Sequence, residues 1–130
     1  MLRRSDIGLL VVGGAVDPEV GGCVDANAVQ HVMRMNIDRC FIGSCAISPN
    51  SGISAFDLAD ATFKRAVLAA SEHSMVLALS EKFDNRAAHK VAVIKEIECV
   101  VVEHDLPRAQ RAALSKAGAS VVQAQEPASP

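Results

Sequence analysis

The feature that most constrains this chain is a series of short apolar runs. Each is stopped by glycine or by small polar residues, and stretches with helical spacing separate them. Ile7-Gly8-Leu9-Leu10-Val11-Val12 ends at Gly13-Gly14, and Ile37-Asp38-Arg39-Cys40-Phe41-Ile42 ends at Gly43. Ser74 to Leu79 runs into the polar string from Ser80 to Arg86. Cys99-Val100-Val101-Val102 is β-branched, and Ala119-Ser120-Val121-Val122 is a last short run. Bounded runs of this length read as buried strands. Their continuous apolar character predicts a parallel sheet covered by helices on both faces.

The intervening stretches fit that order. From Asp25 to Met35 the apolar residues Ala28, Val29, Val32, Met33 and Met35 recur at helical spacing, with Asp25 or Asn27 as cap and Asn36 as stop. Ser54 and Asp57 are candidate caps for a second helix with Leu58, Ala61, Thr62, Ala66, Leu68 and Ala69 on its buried face. Pro107 suits the first turn of a third helix that Gly118 ends. Residues 15–23 and 43–52 read as loops, residues 87–97 as either strand or helix, and residues 127–130 as a frayed tail.

Composition narrows the function classes. The chain has 130 residues, 50% of them hydrophobic, which suits one domain with an aliphatic core. It has no Trp and no Tyr, which argues against base-stacking platforms for single strands. A net charge of -2 argues against direct binding to DNA phosphates. No segment reaches the ~18 apolar residues of a membrane span, and no signal peptide is visible. Cys23, Cys40, Cys45 and Cys99 form no C-x-x-C pair, and the four histidines lack metal-site spacing. Reduced thiols in a cytoplasmic protein are expected, with no metal and no cofactor.

In open α/β sheets, ligands collect outside the carboxyl ends of the strands. That rule selects Gly13-Gly14, the segment Gly43 to Gly52, Ser80-Glu81-Lys82 and Glu103-His104-Asp105. The helix start at residues 54–58 offers free N–H groups and Lys82 a positive charge, a combination suited to a small anion. Spacing alone yields no catalytic constellation.

The same residues carry a resemblance. The ordered set is Gly13-Gly14, Gly22, Met35-Asn36-Ile37-Asp38-Arg39-Cys40-Phe41-Ile42-Gly43, Gly52-Ile53-Ser54, Asp60-Ala61-Thr62-Phe63-Lys64-Arg65-Ala66 and Leu79-Ser80-Glu81-Lys82-Phe83. It resembles the C-terminal effector-sensing domain of the DeoR-type bacterial transcriptional repressors over residues 7 to 123. The resemblance implies a Rossmann-like sheet similar to the ribose-phosphate isomerase and coenzyme A transferase fold. It implies a receptor for a phosphorylated sugar or similar anionic effector, acting on DNA only through a separate winged helix-turn-helix domain. Carried over residue by residue, the pocket would use Gly13, Gly14, Asp38, Gly43, Gly52, Asp60, Lys64 and Lys82. Asp60 stands where the family commonly has the longer glutamate.

Two departures follow. No helix-turn-helix segment precedes residue 7, and the family's first strand with its Gly-Thr-Thr phosphate loop has no counterpart. The expectation is a sensing domain over residues 1–123, incomplete on its N-terminal side, with a disordered tail at 124–130. An exposed apolar surface that pairs with another copy is expected too. Other functions to be weighed are a sugar-phosphate isomerase, with Asp38, Asp60 or Glu81 as base beside Lys82, and an oligomerisation module without a ligand.

Overall fold

The computed structural model describes residues 6–126. In chain order the elements are β1 (Val16–Asp17), β2 (Gly22–Cys23), α1 (Ala26–Val32), β3 (Ile37–Gly43), β4 (Ala46–Ser48), β5 (Gly52–Ala55), α2 (Leu58–Ala69), β6 (Ser71–Ala78), β7 (His89–Ala92), β8 (Cys99–Val102), α3 (Arg108–Lys116) and β9 (Ser120–Gln123). The main sheet is parallel throughout, in the order β3-β6-β8-β9. Parallel neighbours need a crossover, which α2 supplies between β3 and β6 and α3 between β8 and β9. The α/β class with a parallel sheet expected from the apolar runs is the class observed, consistent with the Rossmann-like sheet the resemblance implies. Helices on both faces are expected, but α2 and α3 pack on the same face, with Ile42, Val76 and Val100, and the face that carries Phe41 and Leu77 is exposed.

Register decides what each strand buries. Cys40 lies beside Ser74, Ile42 beside Val76, Val76 beside Val100 and Val100 beside Val121. Side chains alternate along a strand, so these residues share one face. Ile42, Val76, Val100 and Val102 enter one apolar cluster with Ala61 of α2 and Leu114 of α3. The opposite face carries Phe41, which is 62% exposed, and Leu77, 47% exposed. The core is aliphatic: its fully buried larger side chains are Ile47, Ile53, Ile97, Leu106, Leu114, Val76, Val100 and Val102.

Three further expectations are corrected. Residues 7–12 form no strand, and Ile7, Leu9, Leu10 and Val11 are exposed. An apolar run becomes a strand only when a neighbour takes its N–H and C=O groups, and among the described residues none does. Residues 43–52 are not one loop. They contain β4 and the start of β5, an antiparallel hairpin that β7 joins to make a second sheet, β4-β5-β7. The ambiguous stretch near residue 90 is therefore a strand, and Ser54 lies inside β5 rather than capping a helix. The tail at 127–130 lies outside the described residues.

Helix caps follow the sequence where a carboxylate is present. Asp57 Oδ1 accepts the Asp60 N–H at 2.8 Å and starts α2. Asp25 Oδ1 accepts the Ala28 N–H at 3.0 Å and starts α1, while its Oδ2 accepts the Ala15 N–H at 3.0 Å. One carboxylate thus ties the Gly14-Ala15 turn to a helix start. Gly14, at φ +147, passes so close that a Cβ there would meet Asp25 Oδ1. The Ala15 and Ala28 N–H groups hold the Asp25 carboxyl below its ordinary value of 3.8. A depressed folded value means the contribution is present above pH 3.8 and is lost as pH falls through the lower folded value. Asp25→Ala is therefore expected to lower the melting temperature at pH 7. That deficit should shrink as the scans move below the ordinary carboxylate value, which calorimetry across pH checks.

Candidate functional site

The parallel strands run toward one end of the sheet, and a cavity of about 570 Å³ opens there. Gly43, the last residue of β3, and the adjoining Ser44 and Cys45 form one wall. Phe56, Asp57, Asp60 and Lys64, from the start of α2, form a second. Glu19 and Val20 close a third side. Their turn is held by Asp17, whose Oδ1 accepts the Glu19 and Val20 N–H groups at 2.8 and 3.0 Å. This is the location the strand-end rule selects.

One polar cluster organises the cavity. Lys64 Nζ donates to Asp60 Oδ2 at 2.7 Å, one helical turn away. The two side chains are 15% and 10% exposed, so the pair is largely withdrawn from water. Lys64 Nζ also donates to Cys45 Sγ at 3.6 Å, and Cys45 Sγ donates to Asp60 Oδ2 at 3.7 Å. Ser44 Oγ is buried without a hydrogen-bond partner among the described residues.

The charge of the lining is mostly negative. Glu19, Asp57 and Asp60 face a single cation, Lys64. The positive end of α2 is already met by the Asp57 carboxylate and by Asp60 in its first turn. A ligand here meets carboxylates able to accept hydrogen bonds from hydroxyl groups, and one ammonium group. Among the described residues, no three His, Cys, Asp or Glu side chains group as metal ligands.

Of the residues expected in the pocket, Gly43, Asp60 and Lys64 line this cavity together. Lys82 is not part of the lining. It pairs with Glu81 at 2.8 Å, and that hydrogen bond and charge raise its pKa above 10.5, with a smaller contribution from Cys45. Asp38 lies at the opposite end of β3 from Gly43, about 16 Å away at the rise of a parallel strand. Gly52 belongs to the second sheet. Its φ is +77, and a Cβ there would run into the Ala92 carbonyl oxygen and Val93. Gly52 thus serves the contact between β5 and β7. Gly14 serves the Asp25 contact, and Gly13 has open space around it. Sequence reasoning missed Glu19 and Val20 as wall residues, whereas Ser44, Cys45, Phe56 and Asp57 lie in the segment Gly43 to Gly52 and the helix start at 54–58 that the strand-end rule selects, without being singled out as side chains. The cap signal of Asp57 was visible, and its place beside β3 followed from the fold.

A family model described as the DeoR C terminal sensor domain matches residues 1–104. The chain belongs to this family. Among its relatives is the putative aga operon transcriptional repressor of Escherichia coli O157:H7, 25% identical over 94% of this chain and 45% of its own length. The uncharacterized HTH-type transcriptional regulator YgbI of Escherichia coli K12 is 27% identical over 94% of this chain and 48% of its own. The glycerol-3-phosphate regulon repressor of the same strain is 21% identical over 82% and 42%. The DeoR sensor-domain chain thus spans less than half the length of these curated relatives. No helix among its described residues is long and apolar enough to cross a membrane.

The Asp60–Lys64 pair is expected to behave as a coupled unit. Lys64→Met leaves a largely buried carboxylate without its ammonium, at a cost of about 2–3 kcal/mol. Adding Asp60→Asn should recover part of that loss. Urea denaturation of both single variants and the double variant should return a coupling energy of about 1–3 kcal/mol, and strict additivity would deny the pair.

Proposed function

We propose that this chain is the effector-sensing part of a cytoplasmic transcriptional regulator, and that the cavity at the end of β3 receives the effector. The observation that carries the proposal is the Asp60–Lys64 pair inside that cavity, in a chain of the DeoR sensor family. The effector class is a phosphorylated sugar or a similar small anionic metabolite. Its hydroxyl groups donate to the carboxylates of Asp57, Asp60 and Glu19. Its anionic group lies toward Lys64, the Gly43–Cys45 segment and the more distant Lys82. Occupancy then alters DNA binding by a separate winged helix-turn-helix domain.

A sensing role is favoured over an isomerase by the state of the candidate bases. Asp60 is paired with Lys64 and Glu81 with Lys82, while Asp38 sits at the far end of its strand. Curated relatives named as repressors support the same side. Association with a second copy is supported by the open sheet face, where Phe41, Leu77 and Val122 are exposed.

Thermal-shift measurements against a panel of sugar phosphates test the proposal. A true effector at a hundredfold excess over Kd should stabilise by about 2.7 kcal/mol, roughly 5 °C or more in melting temperature. Lys64→Met should abolish the shift, and a panel without any shift would refute the receptor role. For self-association, light scattering should show mass rising with concentration, and Phe41→Lys should hold the protein monomeric. A wild-type protein that stays monomeric throughout would remove that part.

A further inference from the structure

A second cavity, of about 460 Å³, lies against the small antiparallel sheet. Asn50 and Ser51, from the turn between β4 and β5, line it together with Ser54, Arg86 and Lys90. Its charge is opposite to that of the first cavity, since two cations line it and no carboxylate does. The scaffold fixes where these cations start. Lys90 of β7 pairs in register with Ser54 of β5. The Ala87 N–H, next to Arg86, donates to the buried Ser54 Oγ at 2.9 Å. Arg65 of α2 donates to the main-chain carbonyl of Lys90, which ties β7 to the helix.

The ion pairs among the described residues are Lys64–Asp60, His73–Glu98 and Lys82–Glu81. Arg65, Arg86 and Lys90 belong to none of them. Arg86 and Lys90 meet no carboxylate in this cavity and repel one another, and this occurs in a chain whose net charge is -2. An anion bound among them relieves that repulsion. A guanidinium and an ammonium group are the donors that hold phosphoryl oxygens, and Asn50 and Ser51 add neutral donors. We propose that this cavity is a second ligand site, which takes a phosphoryl group carried by free phosphate or by a phosphorylated small molecule. The site stands apart from the effector cavity and does not depend on that reading.

Isothermal titration calorimetry in chloride at fixed ionic strength tests it, with inorganic phosphate, glycerol 3-phosphate and glycerol as probes. Phosphate and glycerol 3-phosphate are expected to bind, and glycerol is not. The Arg86→Gln/Lys90→Gln variant, with its fold checked by circular dichroism, should weaken phosphate at least about tenfold. Tighter binding of glycerol 3-phosphate than of phosphate would identify a phosphorylated metabolite as the source, and equal binding would identify free phosphate. Unchanged phosphate affinity in the double variant overturns the site. It is also overturned if Lys64→Met alone abolishes binding while the double variant retains it. That result would place the anion in the first cavity and leave the effector reading standing.

Discussion

The parallel pairing of β3 with β6 is the constraint on which the rest of the molecule depends. It sets Cys40 against Ser74 and Ile42 against Val76, and so commits the alternate residues of both strands to one buried face. Slipping β3 by one residue against β6 would put Phe41 toward the core and expel Ile42. The same register fixes where β3 stops. Gly43 reaches the strand end beside Leu77, and the chain turns through Ser44 and Cys45 into the β4–β5 hairpin. That turn is the cavity wall, so position in the sheet and position in the site are one fact.

The hairpin has a second consequence. It lies between β3 and α2 in the chain, so α2 starts from the end of β5, a strand that pairs with β7. Gly52 makes this possible, because its missing side chain lets β5 lie against the Ala92 carbonyl. Asp57 then caps α2, and Asp60 and Lys64 follow at one-turn spacing on the side that faces Cys45. A buried ion pair is weak support for stability, since desolvation offsets much of the attraction. Its clearest effect here is placement. Lys64 holds the Asp60 carboxylate, and both present polar atoms to one concave surface.

The strands of the main parallel sheet were legible in the sequence. Cys99 to Val102 is unmistakable because β-branched residues run without interruption, and α3 was legible from Pro107 and Gly118. Ile7 to Val12 misled because composition reports a tendency to be buried, whereas a strand also needs a partner for its main chain. The β4–β5 hairpin stayed hidden because Ser48-Pro49-Asn50-Ser51-Gly52 is turn chemistry with only three or four residues of strand on either side. In the site, Gly43, Asp60 and Lys64 came from the family resemblance rather than from spacing. Glu19 and Val20 left no sequence signal, since the turn that carries them meets α2 only in the folded chain. Asp38 and Gly52 show the limit of carrying residues over. Both match the family pattern, yet one lies at the wrong end of its strand and the other packs a sheet.

Charge is distributed against the simplest picture of an anion cradle. A helix N-terminus attracts a phosphate through unsatisfied N–H groups, yet α2 meets that end with its own Asp57 and Asp60. A dianion arriving there must approach two further negative charges, with Lys64 already engaged at 2.7 Å. Hydroxyl donors suffer no such penalty, because each carboxylate keeps lone pairs beyond those its cap or ion pair uses. The β3 cavity therefore offers its carboxylates to the hydroxyl groups of a metabolite and leaves Lys64 as the one lining cation for its anionic group. Unpaired positive charge lies instead against the small sheet, at Arg86 and Lys90. The two concave surfaces differ in sign because α2 and its cap supply carboxylates to one, while Lys90 of β7 and Arg86 just before that strand line the other.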